Sequence, residues 1–124
     1  MDIKKIDSVS IPVRDLAKSA TFYQEVLGLP EIWRMDERRS AGYGVGDNSA
    51  TINLEQRTGA DLEIVMQVES VDDARRALEN KGARFSGATF TIPEIGKAAR
   101  FVDPDGNRLM LLDYSIEHAR EQTG

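Results

Sequence analysis

One strand–helix pattern occurs twice in this chain. In its first copy Val9, Ile11 and Val13 fall on one face of a strand, with Ile6, Ser8 and Ser10 on the other. Arg14-Asp15 breaks the strand and Asp15 is placed to cap a helix. Leu16, Ala20, Tyr23 and Leu27 then recur at helical spacing until Gly28 offers a left-handed stop. A shift of 55 residues lays Ser8 on Glu63, Val9 on Ile64, Ile11 on Met66, Val13 on Val68 and Leu16 on Val71. In the second copy Leu62, Ile64, Met66 and Val68 share one face, and Glu63, Val65 and Gln67 the other. Its helix spans 71–81, with Val71, Ala74 and Leu78 on the buried stripe, Asp72 and Asp73 in the first turn, and Gly82 at the end. A one-faced strand running into an amphipathic helix folds the helix onto its apolar face. Ser8 and Ser10 then point away from the helix.

The rest of each copy reads as three further strands. In the first they cover 31–37, 40–46 and 50–56, the middle one carrying Gly42, Gly44 and Gly46, which indicate bending or close backbone approach. In the second they cover 83–90, 97–102 and 108–113, with a loop at 92–96 and a Pro-Gly turn at 103–107. Residues 103–107, DPDGN, also begin like an EF-hand loop, but its twelfth position is Tyr114 where a bidentate Glu is needed, so a turn is expected and no calcium site.

A length of 124 residues fits a single domain, 1–124, built of module one (4–57), module two (60–114) and a polar tail (115–124) read as a short helix. The apolar share of 40% is enough for a core. No apolar run approaches a membrane span and the N-terminus lacks a signal-peptide core, so no membrane association and a cytoplasmic location are expected. The absence of cysteine excludes disulfides and thiolate chemistry, and a net charge of −5 argues against nucleic acid as a partner.

The strand–helix opening, FYQEVLGLP at 22–30 and FVDPDGNRLMLL at 101–112 together resemble the vicinal-oxygen-chelate superfamily of glyoxalases, bleomycin-resistance proteins and extradiol dioxygenases. The resemblance runs from Ile6 to Tyr114. It implies an α+β fold of two βαβββ modules whose mixed sheet forms a cup, with helices on the outer face, and a homodimer. It also implies a divalent metal held at four positions, which here are Ser8, Asn53, Glu63 and Met110. Only Glu63 is a ligand type that the family uses. Since a catalytic ion needs about three ligands from His, Asp, Glu or Cys, no metal and no cofactor are expected.

The expected activity is therefore binding of a small organic molecule in the cup, through Ser8, Ser10, Asn53, Glu63, Gln67 and Met110, with Trp33 and Tyr43 as surfaces for a flat ligand. Glu63 is the one candidate general base, but no partner acid can be named for it, so no catalytic residue is assigned. Two alternatives remain. One is a lyase, isomerase or dioxygenase using one divalent metal ion, completed by Glu55, by a second chain or by His118, the single histidine. The other is a structural domain whose cup is filled.

Overall fold

The computed structural model describes residues 1–59 and 61–123, with 121–123 by their backbone alone. Two compact units divide the chain: Asp7–Ile64, and Met1–Ile6 together with Val65–Gly124. The first contains most of β1 (Ile3–Val13), then α1 (Leu16–Thr21), β2 (Glu31–Met35), β3 (Ser40–Val45) and β4 (Ala50–Gln56). The second is formed by β5 (Glu63–Val68, its first two residues lying in the other unit), α2 (Val71–Asn80), β6 (Arg84–Ile92), β7 (Gly96–Val102), β8 (Arg108–Leu112) and α3 (Ser115–Thr123). Within the units the strand orders are β2-β3-β4-β1 and β6-β7-β8-β5. The two orders are the same, so the sequence repeat is a repeat of topology, and the chain is an α+β protein of two βαβββ modules.

In the first unit β1 runs parallel to β4, while β3 pairs antiparallel with both β4 and β2. Alternation gives this sheet two different faces. On one, Ile11, Val13, Ala41, Tyr43, Ile52 and Leu54 meet Leu16, Ala20 and Tyr23 in a core cluster. The other, away from the helix, carries Ser8, Ser10, Gly42, Gly44, Thr51 and Asn53. In the second unit α2 lays Val71, Ala74 and Leu78 on Met66, Val68, Ala99, Phe101 and Leu111. Each wholly buried Val or Leu here contributes about 1.5–3 kcal/mol. The opposite face of that unit is apolar as well, with Val65, Ala98, Met110 and Leu112 packed against Phe90, Ile92, Ile95 and Tyr114.

Capping sets where the helices begin. Asp15 accepts from the Lys18 amide at 3.2 Å, and Ser70 accepts from the Asp73 amide at 3.2 Å. Each helix also receives an acceptor from the end of its module's last strand. Gln56 Oε1 takes the Leu16 amide at 2.9 Å, and Asp113 Oδ2 takes the Val71 amide at 2.8 Å. The 103–107 turn is stapled by Asp103, whose carboxylate accepts from the Asn107 side chain at 2.7 Å and from the amides of Asn107 and Asp105 at 2.9 Å each. These bonds, that of the Asn107 side chain foremost, hold the Asp103 carboxyl below its ordinary range.

Two expectations about apolar stripes are corrected. Leu27 is 49% exposed instead of buried. After Thr21 the helix widens into a π turn, Phe22–Val26, closed by the Leu27 amide on the Phe22 carbonyl at 3.1 Å. The extra residue rotates the chain beyond the turn by about 100°, taking Leu27 off the stripe, and Leu29 packs on the core in its place. Leu62, 48% exposed, precedes β5 and so never acquires the alternation expected of it. The second strand also stops at Met35, where a 3-10 turn, Asp36–Arg38, and a left-handed Arg39 (φ +50°) reverse the chain.

Candidate functional site

Strand register arranges the helix-free face of the Asp7–Ile64 unit in rows across the sheet. One row runs Trp33, Gly42, Asn53, Ser10; the next runs Gly44, Thr51, Ser8; a third runs Met35, Ser40, Glu55, Pro12. Ser8, Ser10 and Ser40 are 3%, 7% and 5% exposed. The hydroxyls of Ser8 and Ser10 have no hydrogen-bond partner among the described residues. Neither is sealed off, since Arg57 Nε is the one fully buried, unpartnered side-chain polar atom among the described residues. Buried polar groups in folded proteins are almost always bonded, so a pair left open on one face marks a place where water or a ligand is received.

Two glycines in β3 admit side chains onto this face. A Cβ at Gly42 would lie 2.0 Å from Trp33 Nε1, and a Cβ at Gly44 1.9 Å from Asn48 Oδ1. The indole thus rests directly on the backbone of β3, and the Asn48 carboxamide covers the next position two residues along. This is the close approach that the glycines indicate in the sequence. Beside the indole, Thr51 Oγ1 donates to Asn53 Oδ1 at 3.0 Å. That bond turns the Asn53 amide nitrogen, a donor, toward other groups.

Tyr43 is not part of this surface. Side chains alternate along β3, so Tyr43 points to the opposite side from Gly42 and Gly44. It is wholly buried in the helix-side core, stacked on Tyr23 with ring centroids 6.2 Å apart. Its hydroxyl donates to Glu31 Oε1 at 3.0 Å, and Arg34 pairs with the same carboxylate at 2.7 Å. Burial, and then the bond to Glu31, push the Tyr43 phenol above its ordinary pKa. The Arg34 bond, partly opposed by desolvation, holds the Glu31 carboxyl below its own.

Glu63 opens β5, 3% exposed and on the same face of that strand as Val65; it is not without a partner. Gln67 is half-buried on that face of β5. Gln67 and Met110 belong to the other unit, where Met110 is 8% exposed within the apolar cluster of Val65, Ala98 and Leu112. Ser8, Ser10, Trp33, Asn53 and Glu63 are therefore the expected residues that lie in the Asp7–Ile64 unit on helix-free faces. Ser40, Thr51 and Asn48 join them, although their sequence context does not single them out as site residues. A serine opposite Glu55 has no sequence signature of its own, and Thr51 carries only the face assignment that its alternation with Asn53 gives it. His118 lies on α3, its ring 6.2 Å from that of Tyr114.

The four positions at which the resemblance implies a metal offer a hydroxyl, a carboxamide, a carboxylate and a thioether, at Ser8, Asn53, Glu63 and Met110. A hard or borderline divalent ion needs more charge than one carboxylate, and a thioether is a soft donor suited to neither, so this set does not fit such an ion. Among the described residues no three of His, Cys, Asp and Glu stand together in a group able to hold one. Likewise, no helix among them is long and apolar enough to cross a membrane.

Solved structures share this fold. Methylmalonyl-CoA epimerase from Mycobacterium tuberculosis superposes with a TM-score of 0.77 at 19% identity, over 95% of this chain and 93% of that one. A superfamily member from Vibrio splendidus 12B01 gives 0.69 at 12% identity, over 90% and 98%. A mutant of homoprotocatechuate 2,3-dioxygenase from Brevibacterium fuscum gives 0.74 at 25% identity, over 91% of this chain, which spans 33% of that larger one. No curated protein sequence matches the chain. The sequence profile of one family matches residues 5–111, nearly the whole length, and so the chain belongs to the Glyoxalase/Bleomycin resistance protein/Dioxygenase superfamily.

Proposed function

We propose that this protein binds a small organic molecule without a metal, on the helix-free face that carries Ser8, Ser10 and Asn53. The observation that carries this reading is the pair of serines, 3% and 7% exposed, whose hydroxyls have no partners among the described residues and are not sealed off. Setting hydroxyls without protein partners on a largely covered face costs stability, and an idle sheet face would fill more cheaply with Val or Leu, as the corresponding face of the other unit does. The donor set supports the absence of a metal, because the carboxylate of Glu63 is the single anionic group among the four positions.

The test is thermal denaturation of chelator-treated protein with zinc, nickel, manganese, cobalt and ferrous ions, and then with a panel of small organic molecules, since anything that binds the folded state alone raises its melting temperature. No response to the five ions and a rise with some organic molecule is expected. A rise of several degrees with one ion, abolished by Glu63→Ala, would overturn the reading in favour of a metal-dependent lyase, isomerase or dioxygenase.

A further inference from the structure

We infer that two copies of this chain pair through the outer face of α1 and the π turn that follows it, the helices antiparallel across a two-fold axis beside Thr21 and Phe22. This surface lies on the helix side of the Asp7–Ile64 unit, away from the face that carries Ser8 and Ser10. Three features of residues 16–27 lead to it.

First, the helical run is apolar on both sides. Leu16, Ala20 and Tyr23 pack into the core, while Phe22, Val26 and Leu27 are 48%, 68% and 49% exposed. The π turn, Phe22–Val26, is what sends Leu27 outward, and widened turns of this kind occur mostly at functional places. The Thr21 hydroxyl donates to the Ala17 carbonyl at 3.1 Å, so its polar group is already bonded within the helix. Phe22 is held edge-on by Tyr23, with centroids 5.6 Å apart, and Tyr23 in turn stacks on the buried Tyr43. An exposed aromatic ring fixed by core aromatics loses little freedom when it is covered, as an interface anchor requires.

Second, the charges on this face stand at the wrong ends for the helix itself. Lys18 is the third residue of the run Leu16–Val26 and Glu25 its last but one. A cation near the N-terminus and an anion near the C-terminus both oppose the helix dipole. Seven residues, about 10 Å along the axis, keep the two from pairing with each other. Neither side chain has an ion pair among the described residues. An antiparallel copy answers both, since it brings its own Glu25 to Lys18 and its own Lys18 to Glu25.

Third, the positions pair with themselves under a two-fold rotation. The midpoint of 18 and 25 falls between Thr21 and Phe22, as does that of 17 and 26. One axis therefore sets Thr21 of one copy against Phe22 of the other, Ala17 against Val26 and Lys18 against Glu25. An isologous contact needs such a self-complementary surface, and the small side chain of Ala17 leaves room for Val26. Pairing of this kind uses neither a sheet edge nor an exchange of modules, so each copy keeps its own fold.

Two short helices bury less than a standard interface, so association at about 100 μM protein and dissociation on dilution are expected. The test is sedimentation equilibrium of the full chain at low salt. Lys18→Glu alone, or Glu25→Lys alone, places like charges at both facing pairs and should weaken self-association about tenfold. Both positions are exposed, so melting temperatures should stay near that of the native chain. Mixed in equal amounts, the two variants should associate with each other as strongly as the native chain does with itself, because each then carries the charge that the other lacks. Phe22→Ala should weaken self-association by about tenfold or more.

A native chain that stays monomeric up to about 1 mM would overturn the inference. A dimer that neither charge substitution weakens would overturn it too, by showing that the copies meet through another surface. Variants that are weak alone and do not recover on mixing would overturn the antiparallel arrangement.

Discussion

Asp113 Oδ2 accepts the Val71 amide at 2.8 Å, so the residue just after β8 holds the first turn of α2. Gln56 does the same for Leu16 in the other module. Each of these acceptors lies three residues beyond Asn53 or Met110, two of the positions at which the resemblance implies a metal ligand. Asp113 does more than Gln56. Its carboxylate also accepts from the Lys97 amide at 2.8 Å and from the hydroxyl and amide of Ser115 at 2.7 and 3.2 Å, while the residue is 2% exposed. It thus ties α2, β7 and α3 to a single point.

Asp113→Asn should therefore destabilise the fold by about 2–3 kcal/mol, since it places amide hydrogens against donors where an ion accepted four bonds. Burial pushes the Asp113 carboxyl upward, but the bonds from Lys97, Ser115 and Val71 together outweigh it and leave the pKa below its ordinary value. A depressed folded pKa contributes stability that is fully present above the unfolded value of about 3.9 and is lost as pH falls through the folded one. Urea denaturation at pH 7 and across the acid range below 4 checks both points. The variant should lose stability at neutral pH and show a shallower decline in acid; an equally steep decline would sink the assignment.

Gly96 is the second half of the same junction. A Cβ there would stand 2.2 Å from the Asp113 carbonyl oxygen and 2.4 Å from its Oδ1. Neither atom is the loose end of a flexible chain, so Gly96→Ala should cost about 2–3 kcal/mol in equilibrium unfolding. Gly82→Ala, at φ +100° with open space around it, carries the backbone penalty alone, about 1 kcal/mol. The reverse ranking would contradict the packing described.

Tyr43→Phe removes one hydroxyl that donates to Glu31 and leaves the ring in the core, so a loss of about 1 kcal/mol is expected. Because the ring faces the helix, ligand affinity should not change. The raised phenol pKa also contributes stability, present below the ordinary value of about 10 and lost as pH rises through the folded one. Denaturation midpoints between pH 8 and 11 should fall less steeply for the Phe variant than for the native chain.

Ser8→Ala and Ser10→Ala should leave the melting temperature unchanged or raise it, because each removes a buried hydroxyl that has no partner among the described residues. Binding of a small organic molecule on this face should weaken. A drop of several degrees without ligand would show that the hydroxyls serve the fold instead.

The module repeat, the helix stripes of Val71, Ala74 and Leu78, and the two faces of β1 follow from the sequence alone, because period-2 and period-3.6 patterns are local and each element had to bury one side. The same alternation made Ser8, Ser10 and Asn53 legible as a polar face. Other features depended on which residues meet across strands. The antiparallel register of β3 against β2 set Trp33 on Gly42, and alternation along β3 sent Tyr43 to the opposite side. A single widened turn moved Leu27 into solvent. Asp113 reads in the sequence as the end of an apolar strand; its four bonds come from residues 2 to 42 positions away, which only the folded chain brings together.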